Sequence, residues 1–284
     1  MPQLKDFKNL YSVCFSEDSK EDMEFLFKSF LKNADILHID KGGLPISMLF
    51  LVDSNLVYGG SKYPVYYLYA ACTHPNYRGA GHMRDLLKKA AETAKAKSKA
   101  GIFLKPANER LYSFYKKSGY VNFFYEDTVD LSLKDIKAKG TARDPYFKRL
   151  NSKEWLSLRA DLIKDANIPY AEFGKQSYTD LMKQYNIICD DNEDYLVYEV
   201  LGSSLNVKEA FCKKSADALL HFTAHTALKE NCKSATLHMP PKSLSDFSDN
   251  AELKCSGMFY STGKYHGLIS PDAIKNVYLG YAWD

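Results

Sequence analysis

The sequence predicts an α/β protein built on mixed sheet, and three observations carry that prediction. Apolar residues recur at helical spacing in some segments and as short continuous runs in others. The two kinds of segment alternate along the chain. A strand pair, a long helix and a further strand recur in the same order in both halves of the 284 residues. At ~150 residues per domain, that length suits two domains. We expect them at residues 1–133 and 146–284.

Leu4, Phe7, Tyr11 and Phe15 mark a first helix over 4–15. Met23, Leu26, Phe27 and Phe30 mark a second over 20–32, with Ser19 and Asp22 placed to start it. Residues 36–40 and 46–52 flank Gly42-Gly43, which can supply positive φ, so a hairpin is expected there. Residues 65–73 follow as an apolar, aromatic strand. A long helix is expected over 80–99, with Met83, Leu86, Leu87, Ala90, Ala91 and Ala94 in one buried stripe and Gly101 breaking it. Residues 102–104 form a short buried strand. Residues 109–117 form a helix that stops at Gly119, and 121–125 and 128–131 return to strand.

Polar residues 134–145, with Gly140 and Pro145, suit a linker. Beyond them helices are expected over 152–165, 177–185 and 215–231. The matching strands are 187–189, 195–201, 205–212, 235–239, 258–260 and 277–281.

Hydrophobic residues make up 45% of the chain, enough for sizeable cores, and 26% are charged. The formal charge is +5 over residues 1–140 and −2 over 141–284, for a total of +3. That mild excess suits a phosphate-bearing ligand and falls short of a nucleic-acid footprint. The six cysteines are scattered without zinc spacing, which fits reduced thiols and no metal. The N-terminus lacks a signal-peptide pattern, and no apolar run approaches the ~20 residues that span a bilayer. A cytoplasmic protein without membrane partners is expected.

The densest chemistry lies at residues 71–83. Arg78-Gly79-Ala80-Gly81-His82-Met83 follows a strand end and opens a helix. Alternating glycines there turn backbone N–H groups toward one anion, and the helix adds its positive end. The pattern reads as a pyrophosphate cradle for a nucleotide-bearing cofactor, coenzyme A in this spelling.

These residues, with Asn108 and the run Phe114-Tyr115-Lys116-Lys117-Ser118-Gly119-Tyr120, resemble the GCN5-related N-acetyltransferases (GNAT). Met83 stands where most members have Gly or Ala. Members of the enhanced-intracellular-survival (Eis-like) group depart in the same way and pair an intact GNAT domain with a degenerate second one. The resemblance therefore implies a tandem GNAT-like fold, with the second domain closing the acceptor site. It implies acetyl-CoA as co-substrate and direct transfer of its acetyl group to a primary amine of a small acceptor. Backbone groups of Ala71, Cys72 and Thr73 would bond the pantetheine arm, and Arg78 with the amides of 79–83 would hold the pyrophosphate. Tyr112 would be a further cofactor contact. Tyr115 would be the general acid that protonates the departing thiolate. Some two-domain relatives deliver a terminal carboxylate into the site, which would give Asp284 the role of base.

Competing readings stand beside these. Asn108 serves either as an arm contact or as a helix N-cap. Cys72 is either a covalent acyl carrier or a small buried strand residue. His221 and His225 sit four apart without an intervening Glu, so packing is favoured over zinc. The acidic run 190–194 reads as a solvated turn. A CoA-responsive protein without catalysis, and transfer of a different acyl group, are the rival functions.

Overall fold

The computed structural model describes residues 2–139 without a break. Beyond them it describes 147–166, 169–174, 178–179, 184–191, 193–211, 213, 215–241, 243, 251–265, 267, 269 and 277–280. The side chains of 164–166 are not described.

Two helices open the chain, α1 (Leu4–Cys14) and α2 (Lys20–Lys28). Ser19 caps α2 as its spacing predicts, accepting a 3.0 Å hydrogen bond from the Asp22 amide. The expected hairpin follows as β1 (Asp35–Lys41) and β2 (Leu44–Tyr58), joined at Gly42-Gly43, both with positive φ. β2 runs six residues past the expected end because Gly59-Gly60 makes a second tight turn into β3 (Ser61–Thr73). The polar residues Asp53, Ser54 and Asn55 interrupt the apolar pattern there and hide the long ribbon.

A short 3₁₀ turn (Pro75–Tyr77) leads to α3 (His82–Ala96), whose buried stripe is Leu86, Leu87, Ala90 and Ala94. The helix ends ahead of Ser98, which takes a left-handed φ of 57°. Gly101 is therefore not its terminator; it is the first residue of β4 (Gly101–Leu104). Next come α4 (Glu109–Lys116) and β5, one continuous strand over Val121–Leu131. Residues expected to begin the linker form instead α5 (Leu133–Lys139), because Ile136 finds a fully buried place. Residues 140–145 lie outside the described residues.

The second half supplies β6 (Lys148–Arg149), α6 (Ser152–Ala166), β7 (Tyr170–Phe173), β8 (Asn186–Cys189), β9 (Tyr195–Leu201) and β10 (Ser204–Phe211). It continues with α7 (Ala216–Lys229), β11 (Ser234–Met239) and β12 (Glu252–Ser261). Most of the expected helix over 177–185 falls outside the described residues. Of the last expected strand, Val277 and Tyr278 make isolated bridges to Phe124 and Tyr170.

The strands join in one sheet of order β1-β2-β3-β4-β12-β5-β11-β10-β9-β8-β6, with β7 added on β2. β12, from the second half of the chain, lies antiparallel between β4 and β5 of the first. β3 and β4 are parallel but pair only at Tyr66–Ile102 and Tyr67–Phe103, so they diverge beyond that point. Packing on one side of β3 brings in Phe7, Leu10 and Tyr11 of α1, and on the other Leu86 and Leu87 of α3 with Tyr115 of α4. A third cluster joins α5 and α7 to β9, β10 and β11. Among the described residues, no helix is long and apolar enough to cross a membrane.

Candidate active site

The divergence of β3 from β4 is sharpened by a bulge. Met48 pairs with Cys72 and Phe50 with Tyr69, so β3 carries an extra residue between them. Ala70 there adopts φ 48°, a left-handed conformation uncommon outside glycine. No sequence signal marks this position, since alanine is neither a turn former nor a left-handed residue by preference. Beyond the bulge the strand end is pinned by Ser47. Its hydroxyl donates to the Cys72 carbonyl at 3.1 Å and pairs with the Thr73 hydroxyl at 2.8 Å.

The chain then turns through His74, whose ring Nδ1 accepts from the Asn76 amide at 3.3 Å. Arg78 Nε donates to the Thr73 carbonyl at 3.1 Å, which fixes the guanidinium beside the turn. Gly79 and Gly81 have φ of 83° and 87°, and a Cβ at either would meet no atom within 4 Å. Their absent side chains leave open space in front of the backbone. Gly81 is the N-cap of α3 and supplies no capping side chain, so the first amides of the helix are left for an outside acceptor. The residues present therefore fit a diphosphate.

This cradle opens onto a cavity of about 410 Å³, within the range of small-ligand sites. Of the residues singled out in the sequence, Ala71, Cys72, Thr73, Arg78, Gly79, Gly81, His82, Met83 and Tyr115 line it together. Tyr115 is 6% exposed and stands edge-on to Tyr120, with ring centroids 5.7 Å apart. Burial pushes its hydroxyl up to about 12, so it stays protonated at neutral pH.

Other candidates are placed elsewhere. Ala80 is exposed and is not part of the cavity wall. Asn108 caps α4, its Oδ1 accepting from the Leu111 amide at 3.3 Å. Tyr112 lies outside the wall, its hydroxyl donating to the Cys255 carbonyl at 2.7 Å. Asp284 lies outside the described residues. The acidic run is not a solvated turn throughout: Asp194 is fully buried, and its Oδ1 accepts from the Lys213 amide at 2.7 Å. Among the described residues, no group of three or more His, Cys, Asp or Glu could hold a metal ion.

Cys14 and Phe15, at the end of α1, also line this cavity. Nothing in their spacing announces this, because an amphipathic helix end reads as packing alone.

Residues 2–122 match the family described as an acetyltransferase (GNAT) domain. Among solved structures, the GCN5-related N-acetyltransferase of Kribbella flavida superposes with a TM-score of 0.71 at 16% identity, covering 92% of this chain and 70% of that one. Eis1 of Mycobacterium abscessus gives 0.61 at 12% identity, with 91% and 70% covered. A tandem GNAT protein from the clavulanic acid biosynthesis pathway gives 0.58 at 13%, with 91% and 94% covered. No curated protein matches the chain by sequence.

Fold and family together define an acyltransferase of tandem GNAT-like fold. The match to the acetyltransferase (GNAT) domain is carried by residues 2–122.

Proposed function

We propose that this protein is an N-acetyltransferase that moves the acetyl group of acetyl-CoA onto a primary amine of a small acceptor. One observation carries the reading: the uncapped start of α3, the open glycine turn and Tyr115 share a single cavity at the mouth of the β3–β4 divergence. Arg78 and the amides of 79–83 hold the diphosphate. The donor's arm lies in the gap between β3 and β4, along Ala71, Cys72 and Thr73. Two carbonyls of that strip are already engaged, Cys72 by Ser47 and Thr73 by Arg78, so amides and the remaining carbonyl contact the arm.

Bound there, acetyl-CoA supplies an activated thioester, and the amine attacks its carbonyl carbon. Polar backbone groups fixed by the bulge stabilise the developing oxyanion. As the carbon–sulfur bond breaks, Tyr115 gives its proton to the leaving thiolate, and the proton shed by the nitrogen passes through water to restore the phenol. Burial suits Tyr115 to this task because it keeps the phenol protonated. Residues 146–284 act as the second domain that closes the acceptor side.

Calorimetry with acetyl-CoA, followed by thiol release across a panel of amines, tests the proposal. Heat on binding and release with at least one primary amine are expected. No binding of coenzyme A would overturn the donor assignment, and tight binding without turnover on any amine would make the protein a CoA-responsive regulator instead.

A further inference from the structure

Two cysteines face the cavity from different elements. Cys14 is the last residue of α1, and Cys72 lies near the end of β3; both line the wall, beside Arg78. Cys14 is partly exposed and Cys72 is 7% exposed, so a reagent entering the cavity meets Cys14 first. The acetyl-transfer steps above use neither thiol.

The two sulfurs are electrostatically unlike. The neighbouring Cys72 thiol holds the Cys14 thiol below its ordinary range; burial opposes this and the Arg78 guanidinium assists. The negative end of α1 also works against a thiolate at Cys14, so the two neighbours must outweigh it. Cys72 is pushed far up by the neighbouring Cys14 and by burial. Burial likewise raises Cys189, Cys232 and Cys255, so Cys14 stands apart from the other described cysteines. A thiol held low beside a cation, with a second thiol on the same cavity wall, is the arrangement of a reactive cysteine and its resolving partner.

We propose that Cys14 and Cys72 form a thiol-modification site for hydroperoxides, Cys14 as the attacking sulfur and Cys72 as the resolving one. The Cys14 thiolate attacks one oxygen of the peroxide and the O–O bond breaks. The departing alkoxide or hydroxide takes a proton from water. Cys14 is now a sulfenic acid, oxidised by two electrons, and the peroxide is reduced. That change removes the negative sulfur that had kept Cys72 protonated, while Arg78 remains alongside. Cys72 then loses its proton and attacks the sulfenic sulfur; the S–O bond breaks and water leaves. The resulting disulfide draws the sulfurs to about 2.05 Å and pins the end of α1 to β3 within the cavity wall. The inference does not need coenzyme A to be the ligand, because thiol chemistry reports on the pair directly.

The test is peptide mapping of the fully reduced protein after limiting hydrogen peroxide, with dimedone present in parallel samples. A linked Cys14–Cys72 peptide is expected in the wild type, reversed by dithiothreitol. Cys72→Ser should leave a dimedone adduct on Cys14, and Cys14→Ser should remove both products. Arg78→Gln should slow alkylation of Cys14 by iodoacetamide about threefold or more, through a smaller thiolate fraction. Labelling of Cys189, Cys232 and Cys255 in the same samples is the internal standard. Equal labelling of those residues and Cys14, or no linked peptide while the protein stays folded by circular dichroism, would overturn the proposal.

Discussion

The Tyr112 hydroxyl donates a 2.7 Å hydrogen bond to the carbonyl of Cys255, 143 residues further along the chain. This bond fastens α4, which carries Tyr115, to β12, the strand inserted between β4 and β5. Tyr112 therefore acts as a strut between the two halves of the chain. Tyr112→Phe keeps the ring and removes the hydroxyl, leaving the Cys255 carbonyl without this donor. A loss of about 1 kcal/mol in unfolding free energy is expected, measured by urea denaturation. Affinity for acetyl-CoA should stay within about twofold, since Tyr112 lies outside the cavity wall. A large affinity loss with unchanged stability would restore Tyr112 as a ligand contact.

Gly79 and Gly81 separate conformation from crowding. A Cβ at either position meets no atom within 4 Å, yet both φ angles are left-handed. Alanine there costs about 1–2 kcal/mol through backbone strain alone, and the turn relaxes by swinging its amides away from the anion position. Gly79→Ala and Gly81→Ala should each weaken coenzyme A binding about tenfold in calorimetry. Inhibition by pantetheine, which has no diphosphate, should barely change. Equal losses for both ligands would mean that the turn shapes the whole cavity and does not hold the diphosphate.

Gly101 presents the opposite case. Its φ needs no glycine, but a Cβ would stand 2.1 Å from Phe259 Cζ and 2.4 Å from the Tyr260 carbonyl oxygen. Phe259 is 1% exposed and stacks on Phe123, so its ring has nowhere to retreat. The carbonyl belongs to the β4–β12 ladder, where Ser261 pairs with Gly101. Gly101→Ala should therefore cost about 3 kcal/mol or more, seen as a lower urea midpoint with an unchanged slope. A shift as small as that of Gly79→Ala would show that β12 does not press on β4 so closely.

How far these features could be read in advance depended on their range. The glycine turn that opens α3 was legible because glycine, arginine and helix start are neighbours in sequence, and each has a local conformational reason to be there. The Ser19 cap and the Gly42-Gly43 hairpin were legible for the same reason. The place of β12 was not, since pairing Phe259 with Phe103 and Val121 is a choice among many apolar strands. Gly101 looked like a helix breaker when only its neighbours were considered. Its small size answers to Phe259, far away in the chain. Cys14 entered the site through the packing of α1 on β3, which apolar periodicity predicts as a face but not as a partner. The bulge at Ala70 had no compositional mark at all.

Tyr115 offers the sharpest test of the proposed chemistry, because its titration is visible in both activity and stability. Its folded value of about 12 lies above the ordinary value of 10, through burial. Below pH 10 both folded and unfolded states keep the proton, and the stabilisation from this group is complete. As pH rises from 10 toward 12 the unfolded phenol ionises first, so the native state loses stability through that window. Tyr115→Phe cannot ionise and should lose less, the difference approaching about 2 kcal/mol near pH 12. Paired urea titrations of wild type and variant at pH 9 and 11.5 measure it, with the other buried tyrosines common to both proteins. In catalysis the same variant should lose about a hundredfold in kcat with acetyl-CoA affinity nearly unchanged. The wild-type kcat profile should show no falling limb from this group below about pH 11. If kcat survives the substitution while the alkaline stability difference appears, Tyr115 is buried as expected but proton transfer runs through another donor.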